Sequence, residues 1–251
     1  YVDSNIDLML KKVEKVKTVA KNCGVNSVLI TGKGEPLYNL VSRKETFHLL
    51  DAFSEFPLEL QTNGIYFREC NDVKKLLRLL EQNGLDILAI SFDRMREFEE
   101  FSELFPLFKK FFTIRISFNI TLRMSKYAAT IRFKNILEKC LEHNIDQLTI
   151  KKITYPKNAK DESVVEWIKD NADENLYKRM LNEAKYEVNN SGMLLRTTNF
   201  GTKIYDLKGI SFSYSEECIQ EQNNSTDIRS LIFLEDGKLY TSWNSKASVL
   251  F

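Results

Sequence analysis

The chain has 251 residues, of which 43% are hydrophobic and 28% charged, a composition that supports a sizeable core and fits a single large α/β domain. Its 36 basic and 35 acidic residues give a net charge of +1, which excludes strong electrostatic capture of nucleic acid or of an anionic membrane by the domain as a whole. No apolar stretch approaches the roughly 20 residues of a membrane span.

Helical and strand-like segments alternate along the first 156 residues. Apolar residues at helical spacing predict helices over residues 6–20, 43–53, 72–82 and 131–143, and a mixed stretch over 94–110 that is broken at Pro106. Short apolar, partly β-branched runs predict strands at residues 27–31, 58–62, 87–91, 113–122 and 147–150. A repeat of roughly 25–35 residues is the size of a βα unit, so we expect a parallel sheet.

The helix that precedes the first strand indicates that one more strand lies upstream of Tyr1. We therefore predict the α/β class, with a partial (β/α)6 TIM-like barrel and parallel sheet over residues 1–156. Residues 157–251 are predicted to form a small α+β C-terminal extension. It would hold helices within 163–188, short strands near 194–196 and 203–205, and a hairpin over 231–240 with Asp236-Gly237 in its turn.

Four cysteines, Cys23, Cys70, Cys140 and Cys218, stand tens of residues apart and form no ligand pair. The first residues do not read as a signal peptide, so we expect reduced thiols in a cytoplasmic protein. A stripe of phenylalanines between Phe98 and Phe112 at helical spacing is expected to pack in the core.

Ligands of parallel α/β sheets bind at the carboxyl ends of the strands, and there this sequence places small and polar residues. Glycine lets a backbone approach a ligand closely, and carboxylates with scattered hydroxyls suit a zwitterionic ligand that carries a ribose. The same residue types also serve as ordinary turn residues. The candidates are Gly32, Lys33, Gly34, Glu35, Thr62, Asn63, Ser91, Asp93, Asn119, Arg123 and Lys151.

Taken together, these turns resemble the radical S-adenosylmethionine superfamily. The segment VLITGKGEPLYN (28–39) is similar to the Gly-Gly-Glu-Pro segment of that family, and LQTNG (60–64) and AISFD (89–93) are similar to the ends of its next two strands. ISFNITL (116–122) and LTIKKITYP (148–156) resemble the fifth and sixth strands. The resemblance covers roughly residues 4–156 in matching order.

The resemblance implies S-adenosylmethionine and a [4Fe–4S] cluster as cofactors. Reductive cleavage of S-adenosylmethionine would give a 5′-deoxyadenosyl radical that abstracts hydrogen from a small-molecule or peptide substrate, with a flavodoxin- or ferredoxin-like electron donor. Its motif positions imply that Gly32, Gly34 and Glu35 hold the methionine amino group and that Thr62 and Asn63 lie near the cluster. They imply ribose or carboxylate contacts for Ser91 and Asp93, and ribose, carboxylate or substrate contacts for Asn119 and Arg123. Ile150 and Lys151 would flank the adenine, largely through their backbone.

Two features depart from the family pattern. The cysteine triplet CxxxCxxC that binds the cluster is absent, and we expect it upstream of Tyr1; the alternative is a degenerate member without a cluster. Lys33 stands where the family commonly has glycine, and it either contacts substrate or faces solvent.

Two other functions fit the same strand ends. One is a barrel without a cluster that binds a nucleotide or a protein partner. The other is a non-radical enzyme that uses Glu35 and Asp93 as acid and base. The near-neutral charge disfavours nucleic acid as a partner.

Overall fold

The structure is a computed structural model that describes residues 6–31, 34–121, 131–153, 162–198, 201–215, 228, 230–242 and 246–251. The chain divides into two compact units. Unit 1 comprises Tyr1–Gln61, Glu69–Asp86 and Gln222–Phe251, and unit 2 comprises Thr62–Arg68 and Ile87–Glu221.

Strands and helices alternate as the hydrophobic pattern predicts. The strands are β1 (Val28–Ile30), β2 (Leu58–Thr62), β3 (Leu85–Phe92), β4 (Thr113–Ile120), β5 (Gln147–Lys152), β6 (Gly192–Thr197), β7 (Lys203–Leu207), β8 (Ile210–Ser215), β9 (Ile232–Phe233) and β10 (Leu239–Tyr240). The helices are α1 (Ile6–Leu10), α2 (Val13–Asn22), α3 (Leu40–Ala52), α4 (Ile65–Glu69), α5 (Val73–Gln82), α6 (Met95–Glu99), α7 (Phe105–Phe108), α8 (Phe133–Glu142), α9 (Glu162–Asn171) and α10 (Glu174–Ser191).

Unit 1 holds the first two strands and the C-terminal hairpin. β1 pairs in parallel with β2, and β9 pairs antiparallel with β10, as the Asp-Gly turn predicts. α3 begins three residues before the predicted start, because the Asn39 side chain accepts the Ser42 backbone N–H (2.9 Å) and the Ser42 hydroxyl accepts the Asn39 N–H (3.0 Å). Ser42 is thus the third residue of the helix and not its N-cap.

Unit 2 is built on a larger sheet in the order β3-β4-β5-β8-β7-β6. β3, β4, β5 and β8 run parallel, whereas β7 is antiparallel to both β8 and β6. The two-residue loop between β7 and β8, Lys208-Gly209, has positive φ at both residues, as a type I′ turn requires. β8 therefore extends the parallel part of the sheet with residues beyond 156. The predicted domain boundary at residue 156 stays a prediction.

These pairings confirm the α/β class and the mostly parallel sheet. Pairing among the described strands forms no closed ring, and the barrel shape remains a prediction. None of the helices in the described ranges is long and apolar enough to cross a membrane.

The phenylalanine stripe forms the core of unit 2, as predicted. Phe98, Phe105 and Phe108 are fully buried, and the rings of Phe98 and Phe118 on β4 lie 5.7 Å apart between centroids. Aromatic side chains each bury a large apolar area, so this cluster contributes much of the stability of the unit.

The side chain of Asp146, directly before β5, links the start of β5 to the start of β4. One carboxylate oxygen of Asp146 accepts the backbone N–H of Ile114 at 2.7 Å, and the other pairs with the ammonium group of Lys109. We expect Asp146→Ala to lower the free energy of unfolding by about 2 kcal/mol, since hydrogen bonds to charged groups contribute roughly 1.5–3 kcal/mol. Urea denaturation would measure the loss. Asp170→Ala, at an exposed position of α9, is the control, and an equal loss in both variants would contradict this role.

Candidate functional site

The carboxyl ends of β3, β4 and β5 bring three of the predicted site residues to one edge of the sheet in unit 2. Asp93 follows β3, and its carboxylate oxygen Oδ1 accepts a hydrogen bond from Asn119 Nδ2 on β4 at 3.0 Å. Asn119 lies directly opposite Lys151 on β5 in the parallel register. Side chains at paired positions point to the same face, so Asp93, Asn119 and Lys151 form an edge cluster of one carboxylate, one amide and one ammonium group.

Backbone contacts fix the loop that carries Asp93. Its N–H donates to Glu97 Oε2 on α6 at 3.1 Å, and its carbonyl oxygen accepts from the Thr121 hydroxyl at 3.4 Å. Thr121 is fully buried. Neither Glu97 nor Thr121 is among the candidates from sequence, because only the folded loop brings them to the Asp93 backbone.

Ser91 lies on the same face of β3, one step from the edge. It is half-buried and pairs in register with Ser117 on β4, which is buried. A ligand at the edge cluster would therefore meet hydroxyl groups below it.

Thr62 and Asn63 shape the turn that leads into α4. The Thr62 hydroxyl accepts the Gly64 N–H and the Asn63 side-chain oxygen accepts the Ile65 N–H, both at 2.9 Å. Residues of this type commonly hold turns in this way. These contacts give both residues a local structural role. Their position near an iron–sulfur cluster stays a prediction.

Gly34 and Glu35 lie in unit 1, after β1. Glu35 Oε1 accepts the Leu37 N–H at 3.2 Å, and the Thr46 hydroxyl of α3 donates to the Pro36 carbonyl oxygen at 3.0 Å. The Gly-Glu-Pro turn is thus anchored to α3 within its own unit. Gly32, Lys33 and Arg123 lie outside the described residues, as does Cys218.

The described cysteines do not fit an iron–sulfur cluster. Cys23 is exposed on the end of α2, Cys70 is half-buried after α4, and Cys140 is buried in α8. Among the residues that the structure describes, no group of three or more His, Cys, Asp or Glu side chains could hold a metal ion.

Burial raises the pKa of the Cys140 thiol to about 12, because the apolar surroundings penalise the thiolate. At about pH 8 only about one thiol in ten thousand would be ionised, and the thiolate is the nucleophile. We expect iodoacetamide to alkylate exposed Cys23 and to leave Cys140 unmodified in the native protein. Peptide mass spectrometry would measure both, with unfolded protein as the control. Rapid labelling of native Cys140 would contradict its burial.

A shallow pocket of about 410 Å³ lies between α8 and α10 and is lined by Arg132, Asn182, Glu183 and Tyr186 among others. Glu183 already pairs with Arg132 at 2.9 Å and accepts the Phe133 N–H at 2.8 Å, so it holds the start of α8. This pocket involves none of the predicted site residues.

No family model matches the chain, and no curated protein matches it. Solved structures similar to the chain include two crystal structures of SuiB from Streptococcus suis. One, bound to S-adenosylmethionine, is 20% identical with a TM-score of 0.41, over 64% of this chain and 39% of that chain. The other is 18% identical with a TM-score of 0.43, over 64% and 40%. The chain thus spans about two fifths of the length of SuiB in these structures.

Proposed function

We propose that this chain is the core of an enzyme that binds S-adenosylmethionine and uses it for radical hydrogen abstraction from a substrate in the cytoplasm. The observation that supports this most directly is the edge cluster. The resemblance assigns ligand contacts to Asp93, Asn119 and Lys151 separately, and in the fold the first two are hydrogen-bonded at 3.0 Å while the third is in register beside them.

The chemistry of the edge cluster fits S-adenosylmethionine. This ligand carries an ammonium group, a carboxylate and a ribose with two hydroxyls. The Lys151 ammonium suits the carboxylate, and the Asp93 carboxylate with the Asn119 amide suits the ribose hydroxyls. When bound, S-adenosylmethionine would supply the radical chemistry; the side chains of the edge cluster bind and orient it.

Asn119 positions Asp93 as well as contacting the ligand. The Asn119 amide donates to Oδ1 of the Asp93 carboxylate and thereby orients that group. The Glu97 and Thr121 contacts hold the Asp93 backbone from both sides of the residue. A carboxylate fixed in this way loses little conformational freedom when it accepts hydroxyl groups of a ligand.

The contribution of Glu35 rests on the sequence resemblance alone. Its carboxylate accepts the Leu37 N–H, which holds the side chain in the turn. Binding of the methionine amino group by Gly34 and Glu35 stays a prediction.

For the iron–sulfur cluster that the proposal includes, we propose ligands outside the residues that the structure describes, because the described cysteines do not fit such a cluster. A cysteine triplet upstream of Tyr1 stays a prediction. The binding roles proposed for Asp93, Asn119 and Lys151 do not depend on where these ligands lie.

Two measurements test the proposal. Calorimetric titration of the 251-residue chain is expected to show binding of S-adenosylmethionine. Adenosine alone is expected to bind with lower affinity. Anaerobic iron and sulfide reconstitution of the full-length protein is expected to give a brown protein whose absorbance changes with S-adenosylmethionine. A protein that binds S-adenosylmethionine and takes up no iron would favour the nucleotide-binding module without a cluster. Absence of both would overturn the proposal.

A further inference from the structure

β6 lies at the edge of the sheet in unit 2 and carries exposed apolar side chains. It pairs with β7, and no other described strand pairs with it. Residues 193–197 are all exposed, and Met193, Leu194 and Leu195 keep 60%, 52% and 51% of their surface accessible. The strand therefore presents three successive apolar side chains beside the backbone groups that face away from β7.

The composition of β6 is unusual for an edge that stays in water. Proteins commonly protect such edges with very short strands, charged side chains or proline. β1, at the other end of the strand order, follows this rule, because it has three residues and only Leu29 is an exposed apolar side chain. β6 has six residues, and its only charged side chain, Arg196, comes after the apolar triplet. This pattern is typical of a strand that pairs with a further strand.

The sequence of β6 is complementary to itself in an antiparallel pair. With a two-fold axis at Leu194, this residue meets its own copy and Met193 lies opposite Leu195, so the apolar triplet is matched along its whole length. Arg196 falls opposite Gly192, and two like charges do not meet. The register shift between Leu194 and Arg196 lies at equivalent places in both strands and preserves the symmetry.

A second copy also supplies a charge that α10 lacks. This helix ends directly before β6 and has no basic residue in its last turn. The last carbonyl groups of a helix have no partners within the helix and carry a partial negative charge, which a nearby cation stabilises. Gly192 packs so closely on the helix end that a Cβ atom would lie 2.7 Å from the Val188 carbonyl oxygen. In the pair, Arg196 of the second copy lies opposite Gly192, which places no side chain between the guanidinium group and these carbonyl groups.

We propose that two copies of this chain associate through β6, as an antiparallel β6–β6 pair that joins the sheets of their second units. The same edge is used on both copies, so the association closes at a dimer. The interface of two six-residue strands is small, and we expect a dissociation constant on the order of 10–100 µM. The dimer goes beyond the proposed function and does not depend on S-adenosylmethionine.

Sedimentation velocity of the 251-residue chain between about 1 and 200 µM tests the association. We expect the wild type to shift from monomer to dimer over this range. Leu194→Glu would bring two carboxylates together at the axis, and we expect it to weaken the dimer at least about tenfold. The control is Leu79→Glu, the same change at a 39% exposed position of α5, which is expected to stay within about twofold of the wild type.

Variants of Arg196 test the contact with the end of α10. Arg196→Ala removes two cations per dimer, and we expect it to weaken the association roughly 3- to 30-fold. Arg196→Lys keeps the charge and is expected to stay within about threefold of the wild type. An equal loss in both variants would contradict the charge complementarity that supports the pair.

Leu194→Cys tests the register in a separate measurement. Opposite residues of an antiparallel pair have Cα atoms about 4.5–5.5 Å apart, which a disulfide can span. We expect mild oxidation to give a covalent dimer of this variant at least about tenfold more efficiently than of the wild type, which shows the background from exposed Cys23.

Three outcomes would overturn the inference. The first is a wild-type chain that stays monomeric at about 200 µM, which would leave the edge to a strand of another protein. The second is an equal effect of Leu194→Glu and Leu79→Glu, which would place the interface elsewhere. The third is the absence of a Leu194→Cys dimer, and this measurement decides the question if Leu194→Glu fails to fold.

Discussion

Asp93→Asn is expected to weaken the binding of S-adenosylmethionine by about 10- to 100-fold while the protein stays folded. The amide keeps the shape of the side chain and an oxygen that can accept from Asn119, but it removes the negative charge from the edge cluster. A hydrogen bond to a charged group contributes roughly 1.5–3 kcal/mol, and 1.4 kcal/mol corresponds to a tenfold change in affinity. Calorimetric titration would measure the change.

The control for Asp93→Asn is Asp170→Asn, which removes the same charge at an exposed position of α9 in the same unit. We expect this variant to bind S-adenosylmethionine as the wild type does and to melt within about 2 °C of it, since surface substitutions change stability by less than about 0.5 kcal/mol. If Asp93→Asn bound S-adenosylmethionine with wild-type affinity, the Asp93 carboxylate would not be part of the proposed site.

Gly64→Ala is expected to destabilise the protein by about 2–5 kcal/mol. Gly64 has φ = +75°, and a Cβ atom placed there would lie 2.8 Å from Phe101 Cζ and 3.1 Å from Ile90 Cγ2. The left-handed conformation costs an L-residue roughly 1–2 kcal/mol, and overpacking a core costs about 1–3 kcal/mol. For a chain of this size the melting temperature should fall by about 4–20 °C.

Gly209→Ala separates the two causes. Gly209 has φ = +89° in the loop between β7 and β8, and a Cβ atom there meets nothing within 4 Å. This variant carries only the conformational cost, so its melting temperature should fall by about a quarter to two thirds as much as that of Gly64→Ala. Equal losses would show that Phe101 moves aside and that the turn after Thr62-Asn63 is not closely packed.

The sequence predicts the strands and helices of this protein well because local patterns specify them. β2 has the predicted bounds, and β4 ends two residues before the predicted end. The predicted start of α3 is wrong by three residues, since Ser42 and Asn39 are both good cap residues and only the extended backbone of Asn39 decides between them.

The candidate site is only partly accessible to sequence analysis. Asp93 follows one predictable strand, and Asn119 and Lys151 lie at the ends of the next two, where the register brings Asn119 beside Lys151. The Asn119 amide then bonds to Asp93. The row of hydroxyl side chains that Ser91, Ser117, Thr149 and Ser213 form across four strands is missed. The alternation of Arg115, Ser117 and Asn119 between apolar residues of β4 is nevertheless a visible signal for it. That signal is ambiguous in one strand and becomes informative only when neighbouring strands repeat it in register.

The sequence by itself determined the α/β class, the order of the strands along the chain and the chemical types of residue at their ends, because these depend on periodicity and turn chemistry over a few residues. Only the tertiary structure decided that β8, far from β5 in sequence, pairs in parallel with it, and that Thr149 and Ser213 share a hydrogen bond. Pairing between distant strands depends on burial of whole sheet faces, and that free energy belongs to the assembled sheet and not to any single segment.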